Sequence, residues 1–346
     1  MKKLLAFLLA LCMLALCACG SKDTAKDETD DNQQQDVDPT PPPVQHRNPL
    51  KGEVIDAPYE GRVFAVTIDN VNGAIPHHGI SEADIFAEMY VNHYSTRGLA
   101  MYSDISKVSS VGPIRSTRYN FTDLALAYNM IVVHASGSQV VRDDMNAEGV
   151  NNIFATGYAG YRDEVRYNNG WAWEHTLFVN GENAVTAAET DGYAVKVTDK
   201  DYGLQFTEDG TPAEGSSATE ISIDYSLHGY TKNSTMKYDA STGKYVFWQY
   251  GEEMIDENNG QPEAFRNVIV LLATVENDEH DYHVADLYTT GEGYFACGGK
   301  MIPIRWSHEG KYDPIEFTLA DGSPLKLGVG NTYLAIAPKE SPVTAS

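Results

Sequence analysis

The chain has 346 residues, 42% of them hydrophobic, and its 49 Asp and Glu outnumber its 25 Lys and Arg to give a formal charge of −24. A chain this acidic, without a cluster of basic residues, repels nucleic acid, so we expect no nucleic-acid partner. Of its four cysteines, Cys12, Cys17 and Cys19 lie near the N-terminus and only Cys297 follows. This count excludes an intramolecular disulfide and a zinc site of paired cysteines from the rest of the chain.

The N-terminus has the pattern of a secretory signal. Lys2 and Lys3 precede an apolar run at residues 4–16, which is too short to span a bilayer comfortably. Small residues before Cys19 fit a lipobox, so residues 1–18 are predicted to be a signal peptide and Cys19 the lipidated first residue. An ordinary signal peptide cut elsewhere, or an uncleaved anchor, is the alternative. The prediction is an extracytoplasmic protein held to the membrane by its lipid, with a mature charge of −26.

Residues 19–52 are predicted to be a tether. They are rich in acidic residues and contain three glutamines in a row and three consecutive prolines. Because such a segment buries too little apolar surface to offset the entropy of ordering, we expect a disordered spacer. The rest of the chain is longer than a single hydrophobic core usually supports, so two domains are predicted. They are an α/β domain at 53–190 and a mainly-β domain at 221–340, with a connection at 191–220 and a tail at 341–346.

The first half alternates strand and helix signals. β-Branched and apolar runs predict strands at residues 62–69, 85–91, 99–102, 108–114 and 130–134. Ser116 is predicted to cap a helix that continues to about Tyr128, and the turn at residues 136–138 opens a second helix toward Met145. This alternation is typical of an α/β layer.

From about residue 220 the signals are mainly β. Residues 235–238 and 245–248 alternate in polarity around a turn that contains Gly243, which predicts a hairpin. Further strands are predicted at 267–274, 300–306, 315–319 and 332–337. The predicted fold class is therefore an α/β N-terminal domain followed by a mainly-β C-terminal domain, α+β overall.

Four motifs occur in order in the first domain: AVTIDN at 65–70, GISEADI at 79–85, VGPIRSTR at 111–118 and VVHASGS at 132–138. With them the chain resembles the YerB-like bacterial lipoproteins, a family defined by a domain of unknown function. Residues 295–306 and 330–338 look like parts of that family's second, β-rich domain. The resemblance implies a two-domain lipoprotein and brings no established reaction.

The VGPIRSTR motif is the best candidate site. Arg115, Ser116 and Arg118 lie between a predicted strand and a predicted helix, where helical amides and two guanidinium groups can face one point. Strand-to-helix junctions bind ligands in open α/β sheets, helix N-termini favour anions, and the planar arginine fork suits phosphate or carboxylate. The alternative is that both arginines pair with internal carboxylates such as Asp69.

Three acids, Asp69, Asp84 and Glu88, fall on strands of the same domain, and His134 ends another strand. Paired carboxylates can hold a divalent cation or act as acid and base. The alternative is that they neutralise the arginines, and that His134 is a partly buried structural residue. No cofactor is required by the sequence, and a divalent cation is the one that these acids suggest.

Residues 157–175 are rich in aromatic side chains, among them Tyr161, Trp171 and Trp173. Flat rings beside amides can form a surface for a sugar or a peptide. The same residues are also typical of a large loop folded over the core, because Tyr and Trp can bury their ring surface while the hydroxyl or indole N–H forms a hydrogen bond.

Two functions from different classes follow. The favoured one is a binding or scaffold lipoprotein without turnover, with a cell-wall component or an envelope protein as partner and an anion site at Arg115 and Arg118. The other is an envelope enzyme acting on a phosphorylated or glycosidic cell-wall precursor, using these arginines and the nearby carboxylates. A third hypothesis, an adhesive module stabilised by cations, is supported only by the net charge.

Overall fold

The structure is a computed structural model that describes residues 45–92, 95–198, 200–226 and 231–346. The predicted signal peptide, Cys19 and most of the predicted tether lie outside the described residues. Residues 45–346 form one compact unit.

Up to residue 190, strands alternate with helices. Strand β3 is buried along its whole length, as its apolar and β-branched residues predict, and β5 is buried as well although its first half contains Ser95, Thr96 and Arg97. The elements are β1 His46–Arg47, β2 Val54–Ile55, β3 Phe64–Asp69, β4 Ile85–Asn92, β5 Ser95–Tyr102, α1 Tyr119–Ala127, β6 Ile131–His134, α2 Gln139–Ala147, β7 Asn152–Phe154, β8 Gly160–Arg162, α3 Glu164–Asn168, β9 Leu177–Val179 and α4 Gly181–Thr190.

After residue 204 the regular elements of the described residues are all strands. They are β10 Gln205–Thr207, β11 Ser216–Ser217, β12 Glu220–Asp224, β13 Asn233–Asp239, β14 Lys244–Gln249, β15 Glu252–Glu253, β16 Ala264–Phe265, β17 Asn267–Ala273, β18 Val275–Asn277, β19 His283–Ala285, β20 Thr290–Cys297, β21 Lys300–Ser307, β22 Glu316–Thr318, β23 Lys326–Gly328, β24 Thr332–Pro338 and β25 Val343–Ala345. The predicted fold class, α/β and then mainly β, is confirmed.

One large sheet runs through both halves of the chain. Its strand order is β11-β21-β20-β17-β24-β4-β5-β3-β6-β7, and β22 extends it beside β21. Strand β24 lies between β17 and β4 and is parallel to both, while β3, β6 and β7 form a second parallel group. The sheet therefore continues from the α/β half into the β-rich half without a break.

A second sheet, in the order β15-β14-β13-β12-β25 with β16 beside β14, covers one face of the large sheet. It contains the predicted hairpin, formed by β13 and β14. Its inward residues, such as Ile221 and Phe247, share a core with Phe86 and Tyr333 of the large sheet. Helices α1 and α2 pack on the opposite face in a second core. The large sheet is thus buried between two layers.

Two local predictions around VGPIRSTR were wrong. Residues 108–114 form no regular strand, because Pro113 has no N–H to donate and only isolated bridges at Val111, Gly112 and Ile114 remain. Helix α1 begins at Tyr119, and its N-terminal flanking residue is Arg118 rather than Ser116. By contrast, the serine turn does open α2, where the Ser138 hydroxyl accepts a hydrogen bond from the Val141 amide.

Candidate functional site

The candidate site lies at the edge of the large sheet where β3 and β6 end. These two strands are parallel, so their last residues, Asp69 and His134, lie at the same edge. Strand β5 runs antiparallel to β3, and the register sets Arg97 directly opposite Asp69. This edge is where open α/β sheets bind ligands.

The VGPIRSTR segment is bound to this edge by its backbone. The Asp69 amide donates to the Pro113 carbonyl at 2.8 Å, and the Arg115 amide donates to the Thr67 carbonyl at 2.9 Å. The Thr117 amide donates to the Ser136 carbonyl at 2.7 Å. Residues 115–117 are therefore held extended between the ends of β3 and β6, which explains why the helix starts later than predicted.

Three guanidinium groups meet here, and we call Arg97, Arg115 and Arg118 the arginine cluster. Arg97 is only 4% exposed, and its Nη1 donates to the Ser116 carbonyl at 2.7 Å. The Nη1 of Arg118 donates to the Thr117 carbonyl, and its guanidinium lies 5.0 Å from the centre of the Tyr282 ring. The side chain of Arg115 is one-third exposed. The cluster thus reaches from the interior to the surface.

The positive charge of the arginine cluster is not balanced by the described residues. Asp69 is the only described carboxylate that forms an ion pair with it, through Oδ2 at 3.1 Å from the Nε of Arg115. Burial, with Arg118 and Arg115 close by, lowers the pKa of Arg97 well below its usual value. Burial and Arg115 lower the pKa of Arg118 in the same way. Such shifts mark cations that lack sufficient compensation.

Unsatisfied donors accompany this excess charge. The Nε atoms of Arg97 and Arg118 and the hydroxyl of Thr117 are buried without a hydrogen-bond partner among the described residues, whereas the Nε of Arg115 faces Asp69. Buried polar groups normally have partners, so donors that no protein group binds are available to the acceptor atoms of a ligand. An oxyanion has the charge and the acceptor atoms that this place lacks.

His175 completes the site and was not predicted. Its Nδ1 lies 2.8 Å from Oδ2 of Asp69, the same oxygen that faces Arg115. It lies in the turn Trp173–His175, which ends the aromatic segment. The signals available in the sequence were a histidine closing that segment and Arg97 just before the apolar residues of β5. Neither signal alone shows that the two side chains meet at Asp69.

The side chains of the aromatic segment, residues 157–175, differ in how far they are covered by the rest of the protein. Tyr161 is 41% exposed and its hydroxyl lies 2.7 Å from that of Ser110. The Trp171 ring is covered by the guanidinium of Arg166, at 4.4 Å from the ring centre. Trp173 is 56% exposed, and Arg162 lies over one of its faces at 4.1 Å. The segment thus packs on the protein while leaving Trp173 at the surface, two residues from His175.

Asp84 lies away from the arginine cluster. It precedes β4, where its Oδ2 accepts a hydrogen bond from the Ser103 amide at 2.6 Å, at the opposite end of β5 from Arg97. Its Oδ1 lies 3.3 Å from the Nζ of Lys51. It lines a cavity of about 630 Å³ next to the N-terminal segment of the described unit.

Glu88 belongs to a separate buried network. Its carboxylate accepts hydrogen bonds from Thr96 and Ser234, both at 2.6 Å, and lies 3.3 Å from the Nζ of Lys232. Burial alone would raise the pKa of Glu88, but Lys232 and these hydroxyls lower it. Because Lys232 and Ser234 come from the β-rich half, this network joins the two halves.

His134 lies at the site edge but faces protein groups. Its Nδ1 is 3.0 Å from the Ser136 carbonyl and its Nε2 is 3.2 Å from Oδ1 of Asn152. Burial lowers the pKa of His134. Of the predicted residues, the structure thus brings together Asp69, Arg115, Ser116 and Arg118.

The described residues contain no group of three or more His, Cys, Asp or Glu side chains suited to a metal ion. Nor do they include a helix long and apolar enough to cross a membrane.

Comparison with known proteins identifies both halves. Residues 50–194 match the N-terminal domain of the family described as protein of unknown function (DUF3048), and residues 221–334 match its C-terminal domain. A Bacillus subtilis (strain 168) protein named as a lipoprotein, YerB, is 27% identical over 81% of this chain and 82% of its own length. The crystal structure of YerB from Bacillus subtilis superposes with a TM-score of 0.76 at 23% identity, covering 86% of this chain and 99% of that one. The chain therefore belongs to the DUF3048 family, the YerB-like family that its motifs resemble.

Proposed function

We propose that the protein is an extracytoplasmic, lipid-anchored binding protein whose ligand presents a phosphate or a comparable oxyanion to the arginine cluster. The predicted lipobox at Cys19 and the name of the Bacillus subtilis relative support the location. The observation that carries the binding function is the excess charge: three guanidinium groups share one paired carboxylate in a chain of formal charge −24.

The electrostatics favour an anion at this place. Arg97 is buried, so its charge is poorly screened by water and salt. Internal carboxylates are the alternative partners, and Asp69 occupies only one of the three arginines among the described ion pairs. Planar guanidinium groups bind phosphate oxygens in pairs, which fits a tetrahedral ligand better than a halide.

A ligand larger than phosphate has a second contact available. Trp173 is 56% exposed two residues before His175, with Arg162 over its ring and Tyr167 edge-on at 5.6 Å, and its exposed part is suited to contact with a sugar. A phosphorylated sugar from the cell wall would use both features. Tyr161 and Trp171 frame the same segment and are secondary candidates.

Thermal unfolding of the full chain in detergent tests the proposal, with inorganic phosphate, sulfate and a phosphorylated sugar each compared with chloride at equal ionic strength. A ligand at roughly a hundred times its Kd stabilises a protein by about 2.7 kcal/mol, which a melting shift detects. We expect phosphate to raise the Tm of the wild type and of Arg305→Met, a variant of an exposed arginine on β21. Arg118→Met should lose the shift.

Two outcomes would contradict the proposal. One is the absence of a shift with every oxyanion. The other is an equal shift in Arg118→Met and in the wild type, since it would place the anion away from the cluster.

A further inference from the structure

The Asp69–His175 pair has the geometry of a histidine held ready for proton transfer. Asp69 is 1% exposed, and its Oδ2 lies 2.8 Å from Nδ1 of His175 and 3.1 Å from Nε of Arg115. A carboxylate only accepts hydrogen bonds, so Nδ1 carries the proton that faces Asp69, and in the neutral form of the ring the lone pair lies on Nε2. Asp69 thus sets the tautomer of the imidazole next to the arginine cluster.

The lone-pair nitrogen faces a position without a side chain. A Cβ added at Gly73 would lie 3.2 Å from Nε2 of His175, and Gly73 itself is exposed. No hydrogen bond from the described residues reaches this Nε2, and the His175 side chain keeps 13% of its surface exposed. Nε2 thus has no partner among the described residues and lies next to a position that carries no side chain.

The charge of the site selects among phosphate esters. Three guanidinium groups and the Asp69 carboxylate leave an excess of two positive charges, because Arg115 is the only cluster member paired among the described residues. A phosphate monoester is a dianion near neutral pH, since its second pKa is about 6. A diester carries one charge and leaves half of the excess uncompensated.

We propose that this site hydrolyses phosphate monoesters with His175 as the catalytic base, an activity that rests on the proposed oxyanion binding. Nε2 takes a proton from a water molecule while the water oxygen forms a bond to phosphorus. The bond between phosphorus and the ester oxygen breaks, and its electron pair leaves with that oxygen. The imidazolium, stabilised by Asp69, returns the proton to the leaving oxygen, so one water and one ester give an alcohol and inorganic phosphate.

The arginines stabilise the charge that shifts onto the non-bridging phosphate oxygens. Arg97 and Arg118 are held by backbone carbonyls at the site edge, so they need little reorganisation when the reaction begins. Ser116 contributes its carbonyl to the position of Arg97 rather than a nucleophile.

The test is turnover of 4-nitrophenyl phosphate by the full chain, compared with bis(4-nitrophenyl) phosphate. His175→Asn keeps an amide that can donate to Asp69 and removes Nε2. We expect wild-type hydrolysis of the monoester in preference to the diester, and a loss of about a hundredfold or more in kcat for His175→Asn, the usual size of a general-base contribution. The phosphate-induced melting shift should persist in this variant.

Gly73→Ala is a second variant that changes no charge. Its methyl group would lie against Nε2 at a distance tighter than ordinary contact, and the backbone at Gly73 is not in the left-handed region. We expect a lower kcat with a Tm close to that of the wild type. His280→Asn, which alters an exposed histidine, is the matched control and should keep full turnover.

The outcomes separate the two proposals. If phosphate stabilises the protein but the wild type turns over no faster than His175→Asn prepared in the same way, the hydrolytic activity is wrong and the binding function stands. If phosphate produces no melting shift and the wild type shows no turnover, both proposals are wrong.

Discussion

At the scale of single residues, Arg97 is the most informative side chain of the arginine cluster. It is 4% exposed, it lies opposite Asp69 in the sheet, and its Nε has no hydrogen-bond partner among the described residues. A buried charge without a matched partner costs stability, so its presence indicates a function that outweighs this cost.

Replacing Arg97 by methionine should therefore separate binding from stability. Methionine has a similar length and no charge, so the variant removes repulsion from Arg115 and Arg118 and loses one hydrogen bond to Ser116. We expect a free energy of unfolding within about 1 kcal/mol of the wild type without ligand. Phosphate should no longer raise the Tm. Calorimetry with and without phosphate measures both quantities, and a large destabilisation without ligand would assign Arg97 a structural role.

Sequence reasoning found two of the three cluster arginines and missed His175 beside them. Arg115 and Arg118 could be predicted because they stand three residues apart at a strand-to-helix junction. Arg97 and His175 could not, because their positions depend on strand register and on the path of the aromatic segment. Asp84 and Glu88 looked equivalent to Asp69 in the sequence, yet one lies at the other sheet edge and the other in an internal network.

At the scale of elements, the segment 254–263 fastens the β-rich half to the loop after β3. Asp256 is fully buried, and its two oxygens accept hydrogen bonds from the amides of Gly79, Ser81 and Asn258 and from the Ser81 hydroxyl. Nearby, Glu257 binds Arg166 at 2.6 Å. This segment therefore also supports the aromatic segment that carries His175.

Asp256→Ala should be strongly destabilising. The change leaves buried donors of Gly79 and Ser81 without their acceptor, and we expect a loss of about 3 kcal/mol in the free energy of unfolding. Asp321→Ala is the matched control, because the hydrogen bonds that Asp321 forms with described residues stay within its own exposed turn, through Ser323. Urea unfolding of both variants checks this. If both variants lose the same free energy of unfolding, the Asp256 hydrogen bonds contribute no more to stability than those of Asp321 in its exposed turn.

Elements were predictable where one pattern dominated. The hairpin of β13 and β14 has clear alternation, a turn with Gly243, and local pairing, so sequence alone was sufficient. The apolar composition of residues 108–114 predicts a strand, but Pro113 and contacts with other segments determine the backbone conformation there. The pairing of β24 with β4 links residues far apart in the chain and left no local signal.

At the scale of the whole molecule, His77 and Glu263 tie the two family domains together. Both side chains are fully buried, with Nδ1 of His77 3.1 Å from Oε1 of Glu263 and Nε2 3.1 Å from the Asp69 carbonyl. Since both partners are acceptors, the surroundings favour the imidazolium, in which both ring nitrogens donate. Burial alone would lower the pKa of His77, but the Glu263 carboxylate and the Asp69 carbonyl raise it above the ordinary 6.5.

The stability of the whole protein should therefore fall at alkaline pH. A raised folded-state pKa gives a contribution that is complete below about pH 6.5 and is lost as the pH rises through the folded-state pKa. Denaturant unfolding between pH 6 and pH 9 should show this decline in the wild type and in His280→Gln, which changes an exposed histidine. His77→Gln should show a flatter profile. An identical slope in all three proteins would rule out His77 as its source.

The position of β24 also dictates when the molecule can assemble. One edge of β4, which begins at Ile85, pairs with β24, which begins at Thr332. The centre of the sheet can therefore form only after nearly the entire chain is available. Contacts between such distant residues slow folding, and an unpaired strand edge is a template for association with other chains. A chain that emerges N-terminus first thus carries an open β4 edge until its last strands arrive. The interval before that moment is when nascent copies of this protein are most prone to aggregate.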